Sequence, residues 1–197
     1  MPPLGAAAVL VGIDMQRIFA EATEWRVPTL LTIVDPILRV ARAHPAETIF
    51  TRFITPHRLE EASGAWRRYY ERWSSVLQGR MDPALLDLVG PLLALVPPAE
   101  VCDKTTFSAF HSKEFLASLE RRRTDTLVLT GAETDVCVLG TAFDAVDRGY
   151  RVIVVADAVT SLSPDGHRAT LDAVFARLDR QIEVATVEDV LAAWPGG

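Results

Sequence analysis

Short, β-branched apolar runs alternate along this chain with longer stretches that carry apolar residues at helical spacing. The runs fall at 8–14 (AVLVGID), 47–54 (ETIFTRFI), 100–104 (EVCDK), 124–131 (TDTLVLTG), 150–159 (YRVIVVADAV) and 181–188 (QIEVATVE). Between and after them, PTLLTIVDPILRVARAH, SKEFLASLERRR, ETDVCVLGTAFDAVDRG, DGHRATLDAVFARL and VEDVLAAW predict helices, with Ser112 placed to cap the second and Gly149 to end the third. An aromatic segment, GAWRRYYERWSSVLQ, and a proline- and leucine-rich one, DPALLDLVGPLLALV, fill the space between the second and third runs. Parallel strands need long crossover connections, so regular strand–helix alternation predicts a parallel sheet with helices on both faces. The runs are continuously apolar rather than alternating, as strands buried on two sides must be.

A chain of 197 residues, 49% of them hydrophobic, can bury a sizeable core and suits a single domain over 1–197. No internal repeat or linker interrupts it, and the terminal PGG reads as a frayed tail. The net charge of −6 argues against a nucleic-acid partner, which calls for a basic face. The run Arg121, Arg122 and Arg123 reads as a solvated helix end. No apolar stretch is long enough to cross a bilayer, so no membrane partner is expected. The N-terminal apolar run lacks a basic flank and is broken by Asp14, which fits a buried strand better than a leader peptide. Two cysteines make no disulfide framework in a chain of this length, and a reducing, cytoplasmic setting is expected.

In parallel sheets with helices on both faces, sites lie beyond the carboxyl ends of the strands. Asp14 ends the first run, Lys104 ends the third, and Cys137 opens the helix after the fourth. Cys137 is either core packing or a nucleophile. With Thr134 as N-cap it would lie in the first helical turn, where the positive end of the helix lowers a thiol pKa from about 8.5. Asp14 is either a strand-end cap or a general base for a thiol proton. Lys104 is either surface charge or a fixed cation, and the two charges would offset part of each other's burial cost. Cys102, inside a strand, reads as packing. The chain has no glycine-rich phosphate loop and no G-x-S-x-G elbow, and His44, His57, His111 and His167 lack metal-ligand spacing.

Taken together, VLVGIDMQRIF, DKTTFSAF and LVLTGAETDVCVLGTAFDAVDRGYRVIVVADAV, in that order, resemble the isochorismatase-like cysteine hydrolases, a family that includes nicotinamidases and N-carbamoylsarcosine amidohydrolases. The resemblance extends from about Ala8 to Glu188. It implies a single-domain, three-layer α/β/α fold with a six-stranded parallel sheet of order 3-2-1-4-5-6. It also implies a catalytic triad of Asp14, Lys104 and Cys137, and a cis peptide between Ala132 and Glu133 that aims the N–H groups of Glu133 and Cys137 into an oxyanion hole. Phe53 and Thr55 stand where nicotinamidases carry an Asp-x-His metal site, so no metal and no other cofactor is expected. True isochorismatases typically lack the cysteine, so its presence favours a small amide, carbamoyl or ureido substrate cleaved through a thioester. Phe19, Trp66, Tyr70 and Phe107 are candidate pocket residues, although Trp66, Tyr69, Tyr70 and Trp73 could equally pack a helix or a subunit interface. The family resemblance suggests a homodimer or homotetramer. Two other readings stay open: a silent binding or scaffold module, and a thiol redox sensor.

Overall fold

The computed structural model describes residues 1–195; the expected frayed tail lies largely outside the described residues, at Gly196 and Gly197. Six strands form one parallel sheet: β1 (Ala8–Ile13), β2 (Thr48–Phe53), β3 (Glu100–Lys104), β4 (Thr126–Ala132), β5 (Arg151–Thr160) and β6 (Ile182–Ala185), in spatial order β3-β2-β1-β4-β5-β6. The helices in chain order are α1 (Arg17–Ala20), α2 (Val34–Ala43), α3 (Gly64–Arg72), α4 (Gly90–Leu93), α5 (Lys113–Arg122), α6 (Leu139–Asp147), α7 (Pro164–Ala169) and α8 (Val187–Ala193).

Side chains alternate across each strand, and here both sets are buried. Ala8 and Leu10 of β1 join Ile37 and Val40 of α2 and Val187 and Val190 of α8 in one core layer. Val9, Val11 and Ile13 point the other way, to Phe115 and Leu119 of α5 and Ala142 and Ala145 of α6. A third, smaller cluster builds the aromatic end of the molecule from Ile18, Trp25, Phe53, Tyr70, Val76 and Leu77.

The helices differ from their sequence patterns at their ends and in the stretch after α7, which widens into a π segment at Thr170–Phe175. The stretch before α2 begins as a 3-10 turn at Leu30–Ile33, and the aromatic segment is helical only through Arg72 before breaking into short 3-10 turns. Ser112 caps α5 as expected, its Oγ accepting from the Phe115 N–H at 3.3 Å. Thr186 caps α8 through a reciprocal capping box with Asp189. Cys102 is buried in the core layer of β1 and α5, where burial pushes its thiol up to about 12. Arg121 and Arg122 are not simply solvated: both guanidinium groups reach Glu100 at 2.6 Å and tie α5 to the edge strand β3.

The connection from β4 into the following turn depends on Gly131. Its φ is +104°, and an added Cβ would meet the Ile13 carbonyl oxygen of the neighbouring strand at 2.1 Å. Neither the backbone angle nor the backbone contact can relax cheaply. Gly131→Ala is therefore expected to lower stability by at least about 2 kcal/mol, read as a lower urea midpoint at unchanged slope. A variant as stable as the parent would mean that this close approach is not maintained in solution.

Candidate active site

The strand order reverses direction at β1, whose neighbours are β2 and β4, and a crevice opens beyond the carboxyl ends of the strands there. Asp14 is the first residue past β1. Its φ of 50° is left-handed, an uncommon conformation for a residue other than glycine. Thr51 of β2 holds it: the Asp14 N–H donates to Thr51 Oγ1 at 3.1 Å, and that hydroxyl donates to Asp14 Oδ1 at 2.6 Å. Gln16, fully buried, ties the following loop to β2, its Oε1 accepting from the Phe53 N–H at 2.6 Å and its Nε2 donating to the Leu86 carbonyl at 2.8 Å.

Lys104 ends β3, two strands away, and is paired in register with Phe53 of β2. Its chain passes over the Phe53 ring, with Nζ 4.8 Å from the centroid, and reaches Asp14 Oδ2 at 2.6 Å. Both side chains are buried, at 0% and 1% exposure. The ammonium also donates to the Thr106 carbonyl at 3.0 Å. Burial by itself pulls the Lys104 ammonium down, but the Asp14 carboxylate and the Cys137 sulfur outweigh it and hold its pKa above the usual lysine value.

Cys137 follows β4. The expectation that Thr134 caps an ordinary α-helix is corrected here. Thr134–Val138 form a wide π turn, entered from Glu133, before α6 begins at Leu139. The Glu133 carbonyl accepts from the N–H groups of Val136 and Val138 at 3.1 and 3.0 Å, the second being the wide bond. Thr134 faces inward, its Oγ1 at 2.9 Å from His167 Nδ1 of α7, while Ser161 Oγ donates to Asp135 Oδ1 at 2.7 Å. These contacts pin the turn from β5 and α7. The Ala132–Glu133 peptide leading into it is cis.

The expected lowering of the thiol pKa is also corrected. Burial pushes the Cys137 thiol up, Lys104 pulls it back only in part, and Asp14 raises it further. Desolvation of the charged form exceeds what the one nearby cation returns. The surroundings of Cys137 thus favour the thiol over the thiolate, with the Asp14–Lys104 pair beside it.

Cys137 opens onto a cavity of about 240 Å³. Phe19, Trp25, Phe53, Tyr69, Trp73 and Phe107 supply rings to its wall, Val136 and Leu162 add aliphatic surface, and Glu24 and Glu133 bring two carboxylates. Phe19 stacks on Trp25 with centroids 5.8 Å apart. Of the four ring residues expected in the pocket, the structure brings Phe19 and Phe107 to it. Trp66 and Tyr70 do not line it. They line a neighbouring cavity with Thr55 and Pro56, because the face of α3 that carries them turns toward β2 and packs beside Phe53 and Trp25. Tyr69 and Trp73 take the places expected of Trp66 and Tyr70. Thr51, Trp25 and the Glu133 side chain were not singled out from the sequence, since only the pairing of β1 with β2 and the folding of the loop after α1 bring them in. No group of three or more His, Cys, Asp or Glu side chains that could hold a metal ion is found among the described residues.

The isochorismatase domain family model matches residues 8–189. The chain belongs to the isochorismatase family. An uncharacterized isochorismatase family protein of Bacillus subtilis is 39% identical over 87 residues, covering 41% of this chain and 48% of that protein. Nicotinamidase 3 of Arabidopsis thaliana is 26% identical over 86% of this chain and 81% of its own length. Maleamate amidohydrolase of Pseudomonas putida is 31% identical over 61% of this chain and 54% of its own length. The chain thus spans about half the length of two of these three relatives. The crystal structure of a cysteine hydrolase from Pseudomonas syringae pv. phaseolicola superposes with a TM-score of 0.83 at 24% identity, covering 98% of this chain and 95% of the other, which is a likeness of fold. The six-stranded sheet of order 3-2-1-4-5-6 agrees with the architecture implied by the sequence resemblance. No helix among the described residues is long and apolar enough to cross a membrane.

Proposed function

We propose that this protein hydrolyses the C–N bond of a small carboxamide, carbamoyl or ureido compound through a thioester on Cys137. The observation that carries this reading is the convergence of a buried Asp14–Lys104 ion pair, at 2.6 Å, on a buried thiol at the base of an aromatic cavity. A carboxylate and an ammonium taken out of water cost more than a pair of well-packed apolar side chains would. Keeping them there is understandable if the thiol needs them. The amide chemistry named in the Arabidopsis and Pseudomonas putida relatives supports the substrate class.

In this scheme Asp14 takes the Cys137 proton as the sulfur attacks the carbonyl carbon. Lys104 stays paired with Asp14 and offsets the negative charge that passes to sulfur. The carbonyl electron pair moves onto oxygen, which meets the N–H groups of Glu133 and Cys137. When the C–N bond breaks, Asp14 returns the proton to nitrogen, and ammonia or an amine leaves. Water then gives a proton to Asp14 and attacks the thioester. The C–S bond breaks, the acid leaves, and the thiol is re-protonated. No step calls for a metal or a redox partner.

The test is ammonia release from a panel of small amides and ureido compounds, with intact-protein mass spectrometry of quenched reactions. Release together with an acyl mass adduct on the Cys137 peptide is expected for at least one compound. Release without any adduct, and unaltered by blocking Cys137 with iodoacetamide, would overturn the covalent scheme. No release from any member would overturn the amide reading.

A further inference from the structure

Among the described residues, the wall of the cavity above Cys137 contains no lysine, arginine or histidine. It contains two carboxylates. Glu133 lies directly before the Cys137 turn, and its Oε2 accepts from the Leu162 N–H at 2.7 Å. That bond fixes the carboxyl group at the cavity wall instead of leaving it free to swing into solvent. Glu24, next to Trp25 in sequence, also lines the wall and accepts from the Ser75 hydroxyl. The remaining surface is aromatic and aliphatic.

Two cations lie close to the cavity without forming its wall. Lys104 has its side chain at 0% exposure and is engaged by Asp14, the Thr106 carbonyl and the Cys137 sulfur. The Arg72 guanidinium lies 4.9 Å from the Trp73 ring centroid but is not part of the wall. A substrate with a carboxylate on its acyl part would therefore enter a mostly aromatic cavity whose wall offers no counter-charge and sets Glu133 against it. A flat neutral group would find rings to pack against, and a cation would gain both the ring faces and the carboxylates.

We infer that the site selects a compact, flat carboxamide whose remaining portion is uncharged or cationic, that it rejects amides bearing a carboxylate, and that Glu133 sets this choice. The inference rests on the amide-hydrolase reading for the chemistry at Cys137, but it concerns binding and is tested without turnover. Burial pushes the Glu133 carboxyl up and the Leu162 N–H pulls it back. The net effect is upward, so the charge opposition acts while Glu133 is ionised, whereas the hydrogen bond fixes the group on the wall.

The experiment uses the Cys137→Ala protein, which binds without turning over, and calorimetric titration with three matched amides: benzamide, para-carboxybenzamide and N-methylpyridinium carboxamide. Benzamide and the pyridinium compound are expected to bind at least about tenfold tighter than the carboxylate-bearing amide. Adding Glu133→Gln, which keeps an oxygen for the Leu162 N–H but removes the charge, should narrow the ratio by at least about threefold. Should that double variant fold poorly, Glu24→Gln in the same background and the three affinities of Cys137→Ala itself supply the comparison. Equal or tighter binding of the carboxylate-bearing amide, no binding of any of the three, or a ratio unmoved in a folded Glu133→Gln protein would overturn the inference. Loss of ammonia release from the parent enzyme with the binding order intact would instead count against the hydrolase reading alone.

Discussion

Cys137→Ala is expected to remove at least about four orders of magnitude of kcat on any amide that the parent protein hydrolyses. The loss is this large because, among the described residues, the cavity wall holds no other thiol or aliphatic hydroxyl and because Asp14 then has no thiol proton to take. The fold should survive, since alanine removes one sulfur from a site packed by Val138 and Ala142, at a cost of about 1–2 kcal/mol. Ammonia release, beside a urea melt of the same sample, separates the two effects. A variant that keeps more than a tenth of the parent rate would rule out the thioester. The resting state makes a second prediction at the same residue. Because burial holds the thiol above its ordinary value, the iodoacetamide rate of the free enzyme should climb by about tenfold per pH unit from 7 to 9. A rate already on a plateau at pH 7 would mean a preformed thiolate, and Asp14 would then have no proton to remove before attack.

Asp14→Asn is expected to damage activity and stability together. Activity should fall by about 10²–10⁴ through loss of the general base. Stability should fall by about 3–5 kcal/mol, because Lys104 is left fully buried beside an amide that cannot neutralise it. The Asp14 carboxylate is one of the two groups that raise the Lys104 pKa against burial. Without it the ammonium pKa falls, and the lysine sheds its proton more readily. Denaturant melts at pH 7 measure the loss. Combining Asp14→Asn with Lys104→Met should restore part of the stability but none of the activity, since the stranded charge is then gone while the base is still missing. If the single variant is as stable as the parent, Lys104 does not depend on Asp14 for its charge. If it is as active, Asp14 is not the base.

How far the site was legible follows from where each residue sits along the chain. Asp14, Lys104 and Cys137 each stand at or just after the end of an apolar run, and parallel topology brings such ends to one edge of the sheet whatever the loops do. Thr51 lies in the middle of β2 and looked like any strand threonine; its contact with Asp14 exists only because β1 pairs with β2 and Asp14 turns left-handed. The aromatic wall was half legible. Tyr69 and Tyr70 are neighbours in sequence on α3, and which of them faces the cavity depends on how that helix rotates against Phe53 and Trp25. The wide turn at Thr134–Val138 was not legible, since its hydrogen bonding is set by partners as distant as Ser161 and His167.

The amino-acid sequence by itself determined the strand–helix alternation, the two-sided burial of the strands and the meeting of Asp14, Lys104 and Cys137 at their carboxyl ends, because these depend on local periodicity and on the handedness of parallel crossovers. The tertiary structure alone decided the burial of the thiol, the rings that wall the cavity and the two carboxylates among them. Those properties depend on desolvation and on side chains brought together from separate loops, and neither is written in the spacing of residues along one segment.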